Sequence, residues 1–260
     1  MQISLHNRHA VICGSTQGIG LATAIALASS GANCTLIARN EQSLKEAVTQ
    51  LPVADGQQHG YQIADFSDPN AVDQAIKTII SNPVHILVNN SGGPKAGPIT
   101  DAAAIDFTAA FQQHIVNNQN LVNAVLPGMK AAGYGRIINI VSTSVKTPLA
   151  NLGVSNTIRA AVAGWSKTLA NEIGQFNITV NNVLPGLTDT ARLQSLVENT
   201  AKNSNTTTEQ VEKDLLASIP MHRFGKAEEI ANVIAFLASP AAAYVNGTNI
   251  PVDGGRTPAF

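Results

Sequence analysis

The chain has 260 residues, 44% of them hydrophobic and 13% charged, with a formal net charge of −1. That length suits one large α/β domain, and the composition excludes a disordered chain. The near-zero charge offers no basic field for nucleic acid, and no apolar run is long enough to span a membrane.

"HAVIC" (9–13) reads as a buried strand, followed by a glycine turn and an apolar helix that ends at Gly31. "CTLIA" (34–38) is a second strand, with a helix from "NEQSLKEAVTQL" after it. "HGYQIAD" (59–65) is a third strand, and "DPNAVDQAIKTII" a helix opened by Asp68 or Pro69. "VHILVNN" (84–90) is the fourth strand; one long helical pattern then covers about 102–132. "GRIINIVS" (135–142) is the fifth strand, 153–174 a helix, and "NITVNNVLPG" (177–186) the sixth strand. A helix at 227–239 and a strand within "GTNIPVDGG" (247–255) complete the rhythm.

Strands alternating with helices predict right-handed βαβ units and a doubly wound parallel sheet covered on both faces. The irregular stretch is 187–220, polar and helix-leaning. It follows a strand directly, so it is placed to be a substrate lid over the carboxyl ends of the strands, or else a solvated insertion with no role. Cys13 and Cys34 sit in apolar strands and read as buried free thiols of a reducing compartment. The N-terminus shows no positively charged segment followed by an apolar one, so the expected location is the cytoplasm.

The turn "CGSTQGIG" carries Gly14, Gly18 and Gly20 between a strand and a helix, the context that gives this pattern meaning. Glycines there let the backbone approach a pyrophosphate, and the helix N-terminus supplies free N–H groups. The second strand ends in "LIARNEQ", with no carboxylate to accept from a ribose 2′-hydroxyl. Arg39 can pair with a 2′-phosphate, which favours NADP(H) over NAD(H); otherwise it is a surface arginine paired with Glu41 or Glu46. Asp65 can reach an adenine edge or cap the next turn. The glycines of "NNSGG" (89–93) let the chain pass close to a cofactor.

Together these segments resemble the short-chain dehydrogenase/reductase family along essentially the whole chain. The similarity rests on the "GxxxGIG" turn, "VNNSGG", "LPGM", "GRIINIVS", "VNNVLPGLTDT" and "VNGTNIPVDGG", in that order. The C-terminal half is most similar to the 3-oxoacyl-carrier-protein reductase type. The resemblance implies one Rossmann-like domain over 1–260 with a seven-stranded sheet, NAD(P)(H), and a homotetramer or homodimer. It implies a small-molecule carbonyl or alcohol substrate and no metal. It also implies cofactor contacts from Ser15, Thr16, Gln17 and Ile19 in the glycine turn. Further contacts fall on Asp65, Phe66, Asn90, Ser91 and Gly92, and on Pro185, Gly186, Thr188 and Thr190 after the sixth strand.

The family's catalytic set is Asn, Ser, Tyr and Lys. The serine falls on Ser142. The tyrosine position is Ser155, the lysine position Arg159 and the asparagine position His114. Ser155 and Arg159 keep the i, i+4 spacing and so share a helix face. The chain's three tyrosines, Tyr61, Tyr134 and Tyr244, all fall elsewhere. One reading keeps carbonyl reduction: Ser142 polarises the carbonyl, Arg159 orients the ribose, and Ser155 delivers a proton through water, fed by an imidazole at His114 that titrates near neutrality. The other reading is a non-catalytic dinucleotide-binding protein or an oligomer partner of an active homologue.

Overall fold

The computed structural model describes residues 3–54 and 56–259; positions 1, 2, 55 and 260 of the expected 1–260 domain lie outside the described residues. Its strands are β1 (His9–Cys13), β2 (Asn33–Ala38), β3 (Gly60–Ile63), β4 (Ile86–Asn89), β5 (Gly135–Ile140), β6 (Ile178–Pro185) and β7 (Asn249–Val252). They form one sheet in the order β3-β2-β1-β4-β5-β6-β7, every pairing parallel. The order reverses between β1 and β4, the point beyond whose carboxyl ends a doubly wound sheet places its ligand crevice.

The continuous apolar runs follow from burial on both faces. Ala10, Ile12, Leu36 and Ile138 point into one core, against α1 (Gly18–Ser29), α2 (Glu41–Thr49) and α9 (Ala227–Ala238). Their neighbours Val11, Cys13, Ile37 and Ile137 point into the other, against α3 (Pro69–Ile79), α5 (Asn117–Ala132) and α6 (Gly153–Ile173). α1 is apolar on every side because it is wedged between the sheet and α9. Asp68 caps α3 by accepting from Asn70 N, with Pro69 in the first turn. Cys13 and Cys34 are buried free thiols, and burial pushes both up to about 12.

The helix expected over 102–132 is interrupted. α4 (Ala104–Phe111) passes into a single π turn, Gln112–Val116, before α5. Neither Gly nor Pro marks the break. The stretch 187–220 folds into α7 (Ala191–Asn203) and α8 (Thr208–Ala217) around a small core of Leu193, Val197, Ala201 and Val211. No helix among the described residues is long and apolar enough to cross a membrane.

Two polar features brace the sheet. In-register asparagines on four strands join side chain to side chain: Asn89 to Asn139 (2.8 Å), Asn139 to Asn182 (2.9 Å), and Asn182 to Asn249 (2.7 Å). At the amino end of β5, Arg8 and Arg136 stack on the Tyr134 ring, 3.9 and 4.2 Å from its centroid. Arg136 also donates to the carbonyls of Gly135 (2.8 Å), Asn177 (3.1 Å) and Ser239 (3.5 Å). The Tyr134 hydroxyl donates to Ala238 O, far from the crevice.

Candidate active site

The glycine turn is shaped by contacts no side chain could tolerate. Gly14 and Gly18 have φ of 58° and 54°. A Cβ at Gly20 would lie 2.0 Å from Gly14 O. Asn90, at the end of β4, donates to that same carbonyl (3.0 Å) and fastens the turn to the switch point. α1 begins without a side-chain cap or an acidic residue in its first turn, so its leading N–H groups are available to an anion. Thr16 and Gln17 lie at the mouth of the turn, Thr16 half-buried and Gln17 exposed. Two of the expected cofactor residues face inward. The Ser15 hydroxyl is buried and donates to Ile37 O (3.4 Å), and Ile19 packs against the core, so only their backbone faces the crevice.

At the end of β2, Arg39 is exposed and makes no ion pair among the described residues. Its alternative partners are engaged elsewhere. Glu41 pairs with Lys45 (3.0 Å), and Glu46 accepts from Gln42 (2.9 Å). Asp65 caps its turn, accepting from Ser67 N (2.9 Å) and Ser67 Oγ (2.7 Å). Those bonds, with Arg39 nearby, hold its carboxyl below the usual range. Phe66 turns its ring into the core and its carbonyl accepts from Asn117 Nδ2 (2.7 Å), so those groups are already engaged.

Beyond β5 and β6 the chain brings the remaining expected residues together. Ser142 is half-buried, and its Oγ accepts from Ser144 N (3.1 Å), starting a short 3-10 turn that ends the strand at Ile140. Arg159 is buried and donates to Ile140 O (3.0 Å). That is one bond from a fork with five N–H groups. Burial first, then Arg192, pulls its pKa down to about 10. Ser155, one turn earlier on α6, is buried, and its hydroxyl has no hydrogen-bond partner among the described residues. Thr188 is buried and Thr190 half-buried, each folded back on the β6–α7 loop, donating to Gly186 O and Thr188 O (both 3.2 Å). Pro185 and Gly186 end β6, and Gly186 lies hard against Asp253.

His114 is 2% exposed and sits in the π turn, with Nδ1 2.9 Å from Ser91 Oγ. Its Nε2 has no hydrogen-bond partner among the described residues. Burial, then the positive fields of Arg159 and Arg192, pushes its pKa down to about 3. The expected near-neutral titration is therefore corrected: this imidazole is uncharged across the physiological range and cannot feed protons as an imidazolium.

Reading the sequence missed Arg192. Its guanidinium lies on Gly93, where an added Cβ would stand 2.6 Å from Nη2. A Cβ at Gly93 would thus press only on the end of that flexible side chain, while Gly92 faces open space. The signal was available. An arginine in the first turn of a helix opposes the dipole, a placement that asks for another reason.

A glycine turn at a sheet's switch point, a hydroxyl beyond β5 and two polar positions on one face of α6 define a dinucleotide-dependent enzyme fold. A family profile described as Enoyl-(Acyl carrier protein) reductase matches residues 14–257. The NADPH-dependent reductase BacG of Bacillus subtilis (strain 168) is 32% identical, covering 96% of this chain and 98% of its own. The 3-oxoacyl-(acyl-carrier-protein) reductase FabG of Pseudomonas aeruginosa is 33% identical, covering 97% and 98%. The crystal structure of L-sorbose reductase from Gluconobacter frateurii, in complex with NADPH and L-sorbose, superposes with a TM-score of 0.93 at 32% identity, with 100% of both chains covered. The chain belongs to the short-chain dehydrogenase/reductase family.

Proposed function

We propose that this protein is an NADP(H)-dependent oxidoreductase that reduces a small-molecule ketone, of 3-oxoacyl type or another, to an alcohol. The observation that carries this reading is the intact cradle. Gly14 and Gly20 admit no side chain, Gly92 is open, and Arg39 is exposed at the end of β2 with no ion pair among the described residues. NADP(H) fits these residues, and the printed descriptions of BacG and L-sorbose reductase, which name NADPH, support the choice over NAD(H). When bound, it supplies the hydride.

The residues supply the rest. The Ser142 hydroxyl donates to the substrate oxygen as negative charge grows there. Arg159 directs its unused N–H groups at the nicotinamide ribose and adds positive potential. The Ser155 hydroxyl passes a proton to the oxygen through one water. His114, uncharged, holds Ser91 and contributes a fixed dipole. Helices α7 and α8 act as the lid over the substrate, and the domain spans the whole chain. The assembly is a homotetramer or homodimer in the cytoplasm.

The test is NADPH oxidation by purified protein across a panel of ketones. Ser142→Ala should lower kcat/KM by about 100-fold or more, as loss of an oxyanion donor does. Activity surviving that change rejects the assignment. Three substitutions, Ser155, Arg159 and His114 for Tyr, Lys and Asn, favour a second reading, a dinucleotide-binding protein without turnover. Micromolar NADPH binding with no oxidation across the panel would establish it.

A further inference from the structure

A cavity of about 210 Å³ lies between the loop that follows β5 and the end of the chain. Thr143, Thr147 and Leu149 form one wall, Ser218 at the end of α8 a second, and Arg256 with Thr257 a third. Thr143 directly follows Ser142, so the first wall starts one Cα step, about 3.8 Å, from the residue that polarises the carbonyl. Each wall is fixed. Asn156, the neighbour of Ser155, donates to Leu149 O (2.8 Å) and accepts from Leu149 N (3.4 Å), which ties the loop to α6. Asp253 accepts from Gly255 N (3.0 Å) and Thr257 N (2.8 Å), and Gly254 and Gly255 take φ of 64° and 83°, which folds the end of the chain into a turn. Arg256 Nε donates to Ser218 Oγ (3.0 Å), and that hydroxyl donates in turn to Leu215 O (2.6 Å). The tether uses one N–H of the guanidinium. Its two Nη groups, and the hydroxyls of Thr143, Thr147 and Thr257, have no hydrogen-bond partner among the described residues. No lining residue is acidic, and Asp253 spends both oxygens on backbone amides.

We infer that this cavity is an oxyanion subsite, built around Arg256, that receives a carboxylate or phosphate at the far end of the substrate. The inference rests on the reductase reading for the placement of the oxo group at Ser142. Held through Nε, the guanidinium keeps its outer Nη edge free, the edge that grips two oxygens of one anion. Arg256 is only half-buried, and its fixed pose among unbonded hydroxyls is what sets it apart from a surface arginine. Ordering the side chain beforehand removes part of the entropy that binding otherwise costs. The threonine hydroxyls add donors without adding charge, which gives the cavity a few convergent polar groups around one cation. The cofactor's pyrophosphate is the competing anion, and no residue of the glycine turn or of the β6–α7 loop lines this cavity. The first wall begins next to Ser142, so few bonds separate the anion from the oxo carbon.

Calorimetry on the NADPH-loaded protein tests this with straight-chain carboxylates and alkyl phosphates of two to six carbons, and with the matching amides and alcohols. At least one anion should bind, its uncharged counterpart should bind about tenfold more weakly, and Arg256→Gln should weaken the anion about tenfold. Ser218→Ala keeps the charge but frees the side chain, and should weaken the same anion about threefold. The class that binds more tightly identifies the end group of the substrate. The Kd for NADPH, read from its fluorescence, should stay within about twofold of wild type in both variants. Urea midpoints verify folding, and Ser218→Ala carries the test if Arg256→Gln does not fold. If no anion binds, if the uncharged compounds bind equally well, or if both variants leave anion affinity unchanged, the subsite is rejected. If Arg256→Gln weakens NADPH and leaves the anions unchanged, Arg256 serves the cofactor and the inference is overturned. Anion binding that depends on Arg256, without any ketone turnover, would uphold the subsite and reject the reductase reading. Ketone turnover with no preference for charged ketones over their methyl esters, unchanged in Arg256→Gln, would do the reverse.

Discussion

The two ends of β5 each hold a buried arginine, and they are solved differently. At the amino end, Arg136 donates to three carbonyls and stacks on Tyr134. At the carboxyl end, Arg159 donates to one carbonyl and stacks on no ring among the described residues. Burial lowers the pKa of both. The difference teaches how to separate structure from function in a buried charge. A cation tied to several carbonyls and a ring braces the fold, while one with a single tie keeps more of its donors for something that arrives later.

The largest expected effect breaks the more heavily bonded end. Arg136→Met strands three carbonyls and a ring face, and should cost about 3 kcal/mol in urea unfolding. NADPH affinity should stay within about twofold of wild type. Arg159→Met should invert that pattern. It strands one carbonyl while removing a buried charge, so stability should fall by about 1 kcal/mol or less. NADPH affinity, measured by fluorescence titration, should drop about tenfold. If both variants lose stability equally, the contrast between the two ends is wrong.

Acid unfolding sharpens the comparison. His114 titrates near 3 in the fold and near 6.5 when unfolded. Between those values the unfolded chain binds the extra proton. Its contribution to stability is therefore complete above pH 6.5 and is lost as the pH falls toward 3, by up to about 1.4 kcal/mol per pH unit. His114→Asn removes the titrating group. Subtracting its urea midpoints from those of wild type between pH 7 and 4 isolates this slope from His9 and His85, whose pKa values are also lowered by burial. Parallel curves would mean His114 is not held neutral. The smallest effect is Gly93→Ala. Its methyl meets only the far end of Arg192, so urea unfolding should show a stability change of less than about 0.5 kcal/mol.

The sheet was readable because strands buried on both faces leave unbroken apolar runs, and each run found its place in order. The glycine turn was readable because Gly14 and Gly20 meet backbone contacts that a side chain would break, and Gly18 takes a left-handed φ. Side-chain direction was not. Ser15, Ile19 and Phe66 occupy cofactor positions in the family pattern, yet turn their side chains into the protein, which local sequence does not encode. The altered set at Ser155, Arg159 and His114 was visible from spacing alone. Its electrostatics follow first from burial and then from Arg192, more than 30 residues further along the chain, and spacing carries neither.

The π turn at 112–116 has a consequence for how this site can change. A π turn amounts to one residue inserted into an α-helix, and each α-helical residue turns the chain by about 100°. Deleting one residue there would restore a regular helix from Ala104 to Ala132 and keep the chain's hydrogen-bond ladder whole. It would also rotate His114 out of register with Ser91. The polar character of this corner thus hangs on a single insertion, and a lineage could erase or create it in one step without touching α6, the glycine turn or the sheet.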